Sequence, residues 1–424
     1  MNQQRPCPFA ALSFQFALAL VLGLGIILTA CQRDDLVCDD PLGCIEIGKN
    51  ESVPLAALLP LSGEAAYLGE EALGGIEIAV GQQSGGILDH PLELVTADSV
   101  CQASSAQAEM TSLTAVTPNV VGIVGPICTA VAEAAMPIVS QAGLVMISPA
   151  NTAVSLTIPP AEGGLWQPGY FRTALPDTRQ AQVAAEFALQ SLDARTAAVI
   201  FADTPQGQAL MDAFVRAFRQ SGGLVTFQSS VPSGATDTSD LLVGALSSSP
   251  DVLYLPLLEP EGNLIVNTMS RITGFNATTL LGGAGLFVPS FPVGVGSSAV
   301  NNMYLVGPVV QGPEAAALQA EWRERFGSAP DGQVYGQAYD AANLLLTAVR
   351  NVAQEGRSGA LLIGRQALRE ALQQTAVFSG ATGVLTCSPT GDCGADSAIG
   401  VYRLSMAQVN GQTWPPELVW TVGE

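Results

Sequence analysis

At 424 residues, 48% of them apolar and only 12% charged, the chain is too apolar for a disordered protein and long enough for two or three separate cores. Its net charge of −21 argues against nucleic acid and against anionic lipid surfaces as partners.

Residues 1–30 read as a signal peptide. Arg5 is followed by the apolar run Phe9–Ala30, and no acidic residue precedes Asp34. Leu28-Thr29-Ala30-Cys31 matches the bacterial lipobox, so cleavage before Cys31 and lipidation of its sulfur are expected. The alternative is an uncleaved single-span anchor. Either way the remainder lies outside the cytoplasm, and with Cys31 lipidated it is attached to the membrane without spanning it. Of the eight cysteines, Cys7 leaves with the signal and Cys31 takes lipid. The other six permit 15 pairings in an oxidising compartment. Proximity favours Cys38–Cys44 and Cys387–Cys393, which leaves Cys101 and Cys128 for each other. Zinc at Cys387/Cys393 would need a CxxC or a histidine nearby, and neither is present.

Residues 31–50 read as an acidic linker around the small Cys38–Cys44 loop. The predicted elements then begin with strand Val53–Pro60, loop Leu61–Gly69, helix Glu70–Gln83, strand Leu92–Ala97 and helix Ala103–Ala115. The stretch Val120–Thr152 is a βαβ unit. Strand Val120–Val124 is broken by Gly125-Pro126, helix Cys128–Ala142 is closed by Gly143, and strand Leu144–Ile147 follows. Thr129 falls at the helix N-terminus, where free N–H groups favour an anion. Ala150-Asn151-Thr152 leaves the next strand at its C-terminal end, where open α/β sheets bind ligands. The competing reading makes Thr129 a helix cap and Thr152 a loop residue.

After Tyr170–Thr173 a crossover at Ala174–Asp177 restarts the β/α rhythm. Helix Asp177–Leu192, capped by Asp177, precedes strand Thr196–Phe201, helix Gln206–Gln220, strand Leu224–Ser229 and helix Ser239–Leu246. Strand Val252–Leu257, helix Gly262–Ile272 and strands Thr279–Leu281 and Tyr304–Pro308 follow. Helices Glu314–Phe326, Val334–Val352 and Ile363–Gln373 precede a turn-rich β tail from Val384. The fold class is therefore α/β, with two lobes built on parallel sheets and joined more than once. Residues 51–174 plus 311–378 are assigned to lobe 1, and residues 175–310 plus 379–424 to lobe 2.

Chemistry-bearing motifs are missing. The sequence has no G-x-G-x-x-G, no G-x-x-x-x-G-K-[ST] and no G-x-S-x-G. His90, the sole histidine, precedes Pro91 at a strand start and lacks a nucleophile and an orienter, so it reads as a strand-end residue. Asp392 and Asp396 lack EF-hand spacing. No enzyme, cofactor or metal is expected.

The pieces resemble a family. Ala57–Val80, Val120–Thr129, Ala142–Thr152, Tyr170–Gln182 and Val334–Val349, in this order and spacing, resemble the type I periplasmic binding proteins of branched-chain amino-acid ABC transporters. The resemblance covers roughly residues 51–380 and implies two Rossmann-like lobes on a multi-strand hinge. Such proteins close over a small solute and present it to permease subunits. By position, Thr129 matches the hydroxyl residue that receives the ligand carboxylate. Ala150, Asn151 and Thr152 match the loop that completes that site, and the first loop contributes Ser62 and Tyr67. Family members also carry a first-lobe disulfide where Cys101 and Cys128 fall. In the second lobe an expected aromatic is Gln206, and the acidic partner of an α-ammonium aligns with Ala284. Glu259 lies next to another lining position and would supply the missing charge. An amino acid or other small carboxylate-bearing solute is thus the expected ligand, with no nucleic-acid partner. The alternative is a ligand sensor of the same fold that signals to a partner instead of a permease.

Overall fold

The computed structural model describes residues 36–296, 303–330 and 332–422. The leader and the Cys31 lipidation site fall outside the described residues. The first stretch runs β1 (Cys44–Ile47), β2 (Val53–Leu59), α1 (Ala66–Gly81), β3 (Leu92–Asp98), α2 (Ala103–Val116), β4 (Gly122–Val124), α3 (Thr129–Gln141), β5 (Met146–Ser148) and β6 (Tyr170–Arg172). Strands β3-β2-β4-β5-β6 form a wholly parallel five-stranded sheet. Every residue of β2 is buried, as expected of a strand covered on both faces. Apolar residues of α2 and α3, among them Met110, Val131 and Met136, cover one face. Residues of α1, with Ile76 and Ile78, lie on the other.

The second stretch runs α4 (Asp177–Gln190), β7 (Thr196–Ala202), α5 (Pro205–Gln220), β8 (Leu224–Val231), α6 (Ser239–Ser247), β9 (Val252–Leu255), α7 (Glu259–Met269), β10 (Thr279–Gly282), α8 (Ser290–Val295) and β11 (Met303–Pro308). The chain then returns through α9 (Ala315–Phe326), α10 (Val334–Val352), β12 (Ala353–Glu355), β13 (Leu361–Gly364) and α11 (Arg365–Gln373). It ends with β14 (Phe378–Ser379), β15 (Val384–Leu385), β16 (Ile399–Arg403), α12 (Met406–Val409) and β17 (Glu417–Thr421). The second sheet has the order β17-β16-β11-β10-β9-β7-β8. It is parallel from β8 to β11, and β16 and β17 are added antiparallel. Helix α5 buries Met211, Phe214, Val215 and Phe218, the 3–4 spacing of an amphipathic helix.

Three expectations need correction. Residues 44–47 are not linker. Strand β1 pairs antiparallel with β13, and Ile45 and Ile47 enter the first core. Ile363 and Gly364 are strand, so the helix begins only at Arg365. The Cys387–Cys393 loop, assigned to lobe 2, returns to the first sheet instead. Arg172 pairs with Asp392 beside β6, the Arg172 N–H donates to the Gly391 carbonyl, and Cys387 and Cys393 belong to the first core. All three expected disulfides form, with Cα–Cα separations of 5.9, 5.4 and 3.9 Å for Cys38–Cys44, Cys101–Cys128 and Cys387–Cys393.

The chain passes between the sheets three times, after β6, after β11 and after the Cys387–Cys393 loop, and the N-terminal half of α10 lies against the first two passages and against residues 381–382. The Thr173 hydroxyl donates to the Gln337 carbonyl at 2.9 Å. A Cβ on Gly336 would lie 2.5 Å from Val310. Buried Asp340 accepts from the Ala381 N–H at 2.6 Å, the Thr382 N–H at 2.9 Å and the Thr382 hydroxyl at 2.6 Å.

Candidate functional site

The turn between β4 and α3 opens the site. Gly125 has φ +125°, and a Cβ there would fall 2.1 Å from the Leu58 carbonyl oxygen, so only glycine lets the two strands' ends lie this close. Cys128 caps α3 through its extended backbone and provides no side-chain acceptor, and the first turn has no acidic residue. Thr129 is the first helical residue, not the cap. Its hydroxyl makes no hydrogen bond among the described residues. The Cys101–Cys128 disulfide fixes this helix start to the beginning of α2.

The loop after β5 is pinned against that turn. The Ser148 hydroxyl donates to the Pro126 carbonyl at 2.7 Å and accepts from the Ala150 and Asn151 N–H groups at 3.3 and 2.9 Å. Asn151 is 1% exposed, donates to the Ile127 carbonyl at 2.7 Å and accepts from the Tyr170 hydroxyl at 3.2 Å. Its side chain is spent on holding the loop to the turn. Behind the loop lies Arg172, wholly buried and ion-paired to Asp392. It donates to the Asn151 and Ala153 carbonyls at 3.2 and 2.7 Å. Thr129, Ala150 and Thr152 are thus brought to neighbouring backbone segments with a buried positive charge at their back.

Ser62 is exposed and donates to Asp98 at 2.6 Å, which ties the first loop to the end of β3. Gln206, at the start of α5, donates to Asp177 Oδ2 at 2.9 Å. Asp177 is the residue missed by reading the sequence, where it passes for a helix cap. Pro176 holds the cap position, and Asp177 is buried at 3% exposure. Burial pushes its carboxyl above the usual range, against hydrogen bonds from Thr152 and Gln206 and the charge of Arg172. A carboxylate buried between side chains of the two sheets is a costly arrangement unless a cation or donor completes it. Only its position directly after a predicted crossover could have flagged it.

Ala284 begins a short 3₁₀ turn after β10, beside Gly283, whose added Cβ would lie 3.6 Å from the Tyr254 hydroxyl. Tyr67 and Glu259 line a cavity of about 980 Å³ between the two halves of the molecule. Its other walls include Glu64 and Pro330 on the first side and Ser290, Gln412 and Trp414 on the second. Desolvation, then Glu259 and Glu71, push the Tyr67 phenol up from its ordinary value. The Glu259 carboxylate accepts from the Ser290 hydroxyl at 2.7 Å and the Asn263 amide at 3.4 Å. Thr129, Ala150, Thr152 and Gln206 do not line this cavity. His90 is buried, with its ring nitrogens 3.0 Å from the Glu51 and Gly359 carbonyls, and serves the fold. Among the described residues no group of three or more His, Cys, Asp or Glu could hold a metal ion.

The family model described as "Periplasmic binding protein" matches residues 52–410, most of the chain. The chain belongs to the periplasmic binding protein family. This periplasmic binding protein is 28% identical over 236 residues to the Leu/Ile/Val-binding protein BraC3 of Rhizobium johnstonii, a match spanning 55% of the chain and 62% of that relative. It is 26% identical over 349 residues to the Leu/Ile/Val-binding protein homolog 3 of Brucella melitensis, spanning 81% of the chain and 89% of that relative. Two solved structures share the fold. The branched-chain amino-acid transporter substrate-binding protein LivJ of Streptococcus pneumoniae, in complex with isoleucine, superposes with TM-score 0.68 at 21% identity, covering 87% of this chain and 100% of that one. A solute-binding protein of an R. palustris ABC transporter, in complex with benzoate, superposes with TM-score 0.66 at 18% identity, covering 87% and 95%. The matched family and the curated relatives are binding proteins, not enzymes.

Proposed function

We propose that this protein is the lipid-anchored, extracytoplasmic solute-binding component of an ABC uptake system. It holds the carboxylate of an amino acid or small organic acid at the start of α3 and delivers the solute to permease subunits. The observation that carries this reading is the pinned pair of loops. Uncommitted N–H groups at the helix start, the Thr129 hydroxyl and the Ala150–Thr152 segment converge, with no cation needed in contact with the anion. Asp177, between Thr152 and Gln206, is the group placed to meet an α-ammonium, a role the sequence pattern left vacant at Ala284. Binding shifts the lobes from open to closed by adding contacts across the gap. Isoleucine and benzoate in the two neighbouring structures are both small carboxylates, which supports the class.

The test is thermal unfolding of the full chain in mild detergent against a panel of small carboxylates and neutral solutes. A binder at 100-fold excess over its Kd adds about 2.7 kcal/mol. A shift with a neutral solute and with no carboxylate refutes the anion site.

A further inference from the structure

The interlobe cavity carries more chemistry than a leucine side chain needs. Its volume of about 980 Å³ stands at the upper end of the roughly 300–1,000 Å³ that suits drug-sized ligands. It presents one carboxylate from each side, Glu64 from the loop after β2 and Glu259 from the start of α7. Among the described residues no Lys, Arg or His lines it. The partners of Glu259 are a hydroxyl and an amide, and neither glutamate forms an ion pair among the described residues. Two aromatic rings, Tyr67 and Trp414, enter from opposite sides. Two carboxylates on the wall of one cavity, with aromatic neighbours and no counter-charge among the described residues, disfavour one another, and a cation relieves that repulsion while its face-on contact with the rings adds attraction. The net charge of −21 raises the local concentration of such a solute.

We propose that the cavity is a subsite for a cationic group several bonds away from the ligand carboxylate, recognised by Glu64, Glu259, Tyr67 and Trp414. The ligand is then an extended zwitterion ending in an ammonium or guanidinium, of the size of a basic amino acid or an ω-amino acid. This inference rests on the carboxylate reading of the α3 end of the cleft.

Isothermal titration of the full chain in detergent with two isosteric pairs tests it: L-lysine against L-norleucine, and 6-aminohexanoate against hexanoate. At low ionic strength the cationic member of at least one pair binds about tenfold tighter. Glu64→Gln with Glu259→Gln brings that ratio close to one by weakening the member that carries the ω-ammonium. Added salt shrinks the ratio in the native chain only. Equal binding within both pairs, or a ratio the double variant does not alter, overturns the cation subsite and leaves the carboxylate reading standing. Binding of 1,6-diaminohexane as tightly as 6-aminohexanoate does the reverse. No binding by any of these probes overturns both.

Discussion

Asp340 makes the stability of this protein fall as the pH rises from about 4 to about 7. Its carboxyl is fully buried and accepts three hydrogen bonds from Ala381 and Thr382, in the turn between β14 and β15. Desolvation outweighs those bonds and pushes the group up to about 6 from an ordinary value of 3.8, with Glu314 adding to the rise. A carboxyl with a higher pKa folded than unfolded favours the folded state when protonated. That contribution is complete below the unfolded value and is lost as pH climbs through the folded one. The gap corresponds to about 3 kcal/mol at 1.36 kcal/mol per pH unit. Other carboxyls act in the opposite sense. In Asp40, Asp98 and Asp251 desolvation is outweighed by hydrogen bonds, and the groups sit below the usual range. The measurement is therefore a difference. Guanidinium unfolding followed by tryptophan fluorescence is run on the native chain and on Asp340→Asn from pH 4 to 8, and the two free energies are subtracted. The difference is expected to fall by about 2.4 kcal/mol across the range, since part of the contribution is already lost at pH 4. A flat difference, or one that grows with pH, refutes the reasoning.

Thr129→Val keeps the shape of the helix start and removes the hydroxyl. For whichever carboxylate stabilises the native chain, Kd should rise about ten- to a hundredfold, the loss of one hydrogen bond to a charged group, read by titration calorimetry. Asn151→Ala strands the Ile127 carbonyl and the Tyr170 hydroxyl. It should cost about 1–3 kcal/mol of unfolding free energy and weaken ligand binding without removing a ligand contact. Cys101→Ser with Cys128→Ser opens a loop with a sequence separation of 27. By chain entropy that lowers stability by about 3.5 kcal/mol, measured by urea unfolding against the native chain. Unchanged unfolding midpoints would count against each of the last two.

The alternation of strands and helices was legible because buried parallel strands and one-sided helices carry strong local patterns. Helix Val334–Val352 is predicted with both its ends. What escaped depends on contacts between distant residues. Strand β1 is four residues long and pairs with a segment more than 300 positions away. Nothing local distinguishes Cys44–Ile47 from a linker, and the same pairing turns Ile363 into strand. The Cys387–Cys393 loop joins the first sheet through Arg172, a partner no periodicity announces. At the site, Thr129 and Thr152 stood out because a strand-turn-helix leaves identifiable ends. The burial of Asn151 and Asp177 was not legible, because sequence does not show which way such a side chain points.

Helix α10 lies against two of the passages between the sheets and against residues 381–382 near one of its ends. Bending either of those passages then drags on a backbone the other shares, which ties a swing of one half against the other to this helix. Labels placed on any two points across the gap should report the same transition with the same midpoint.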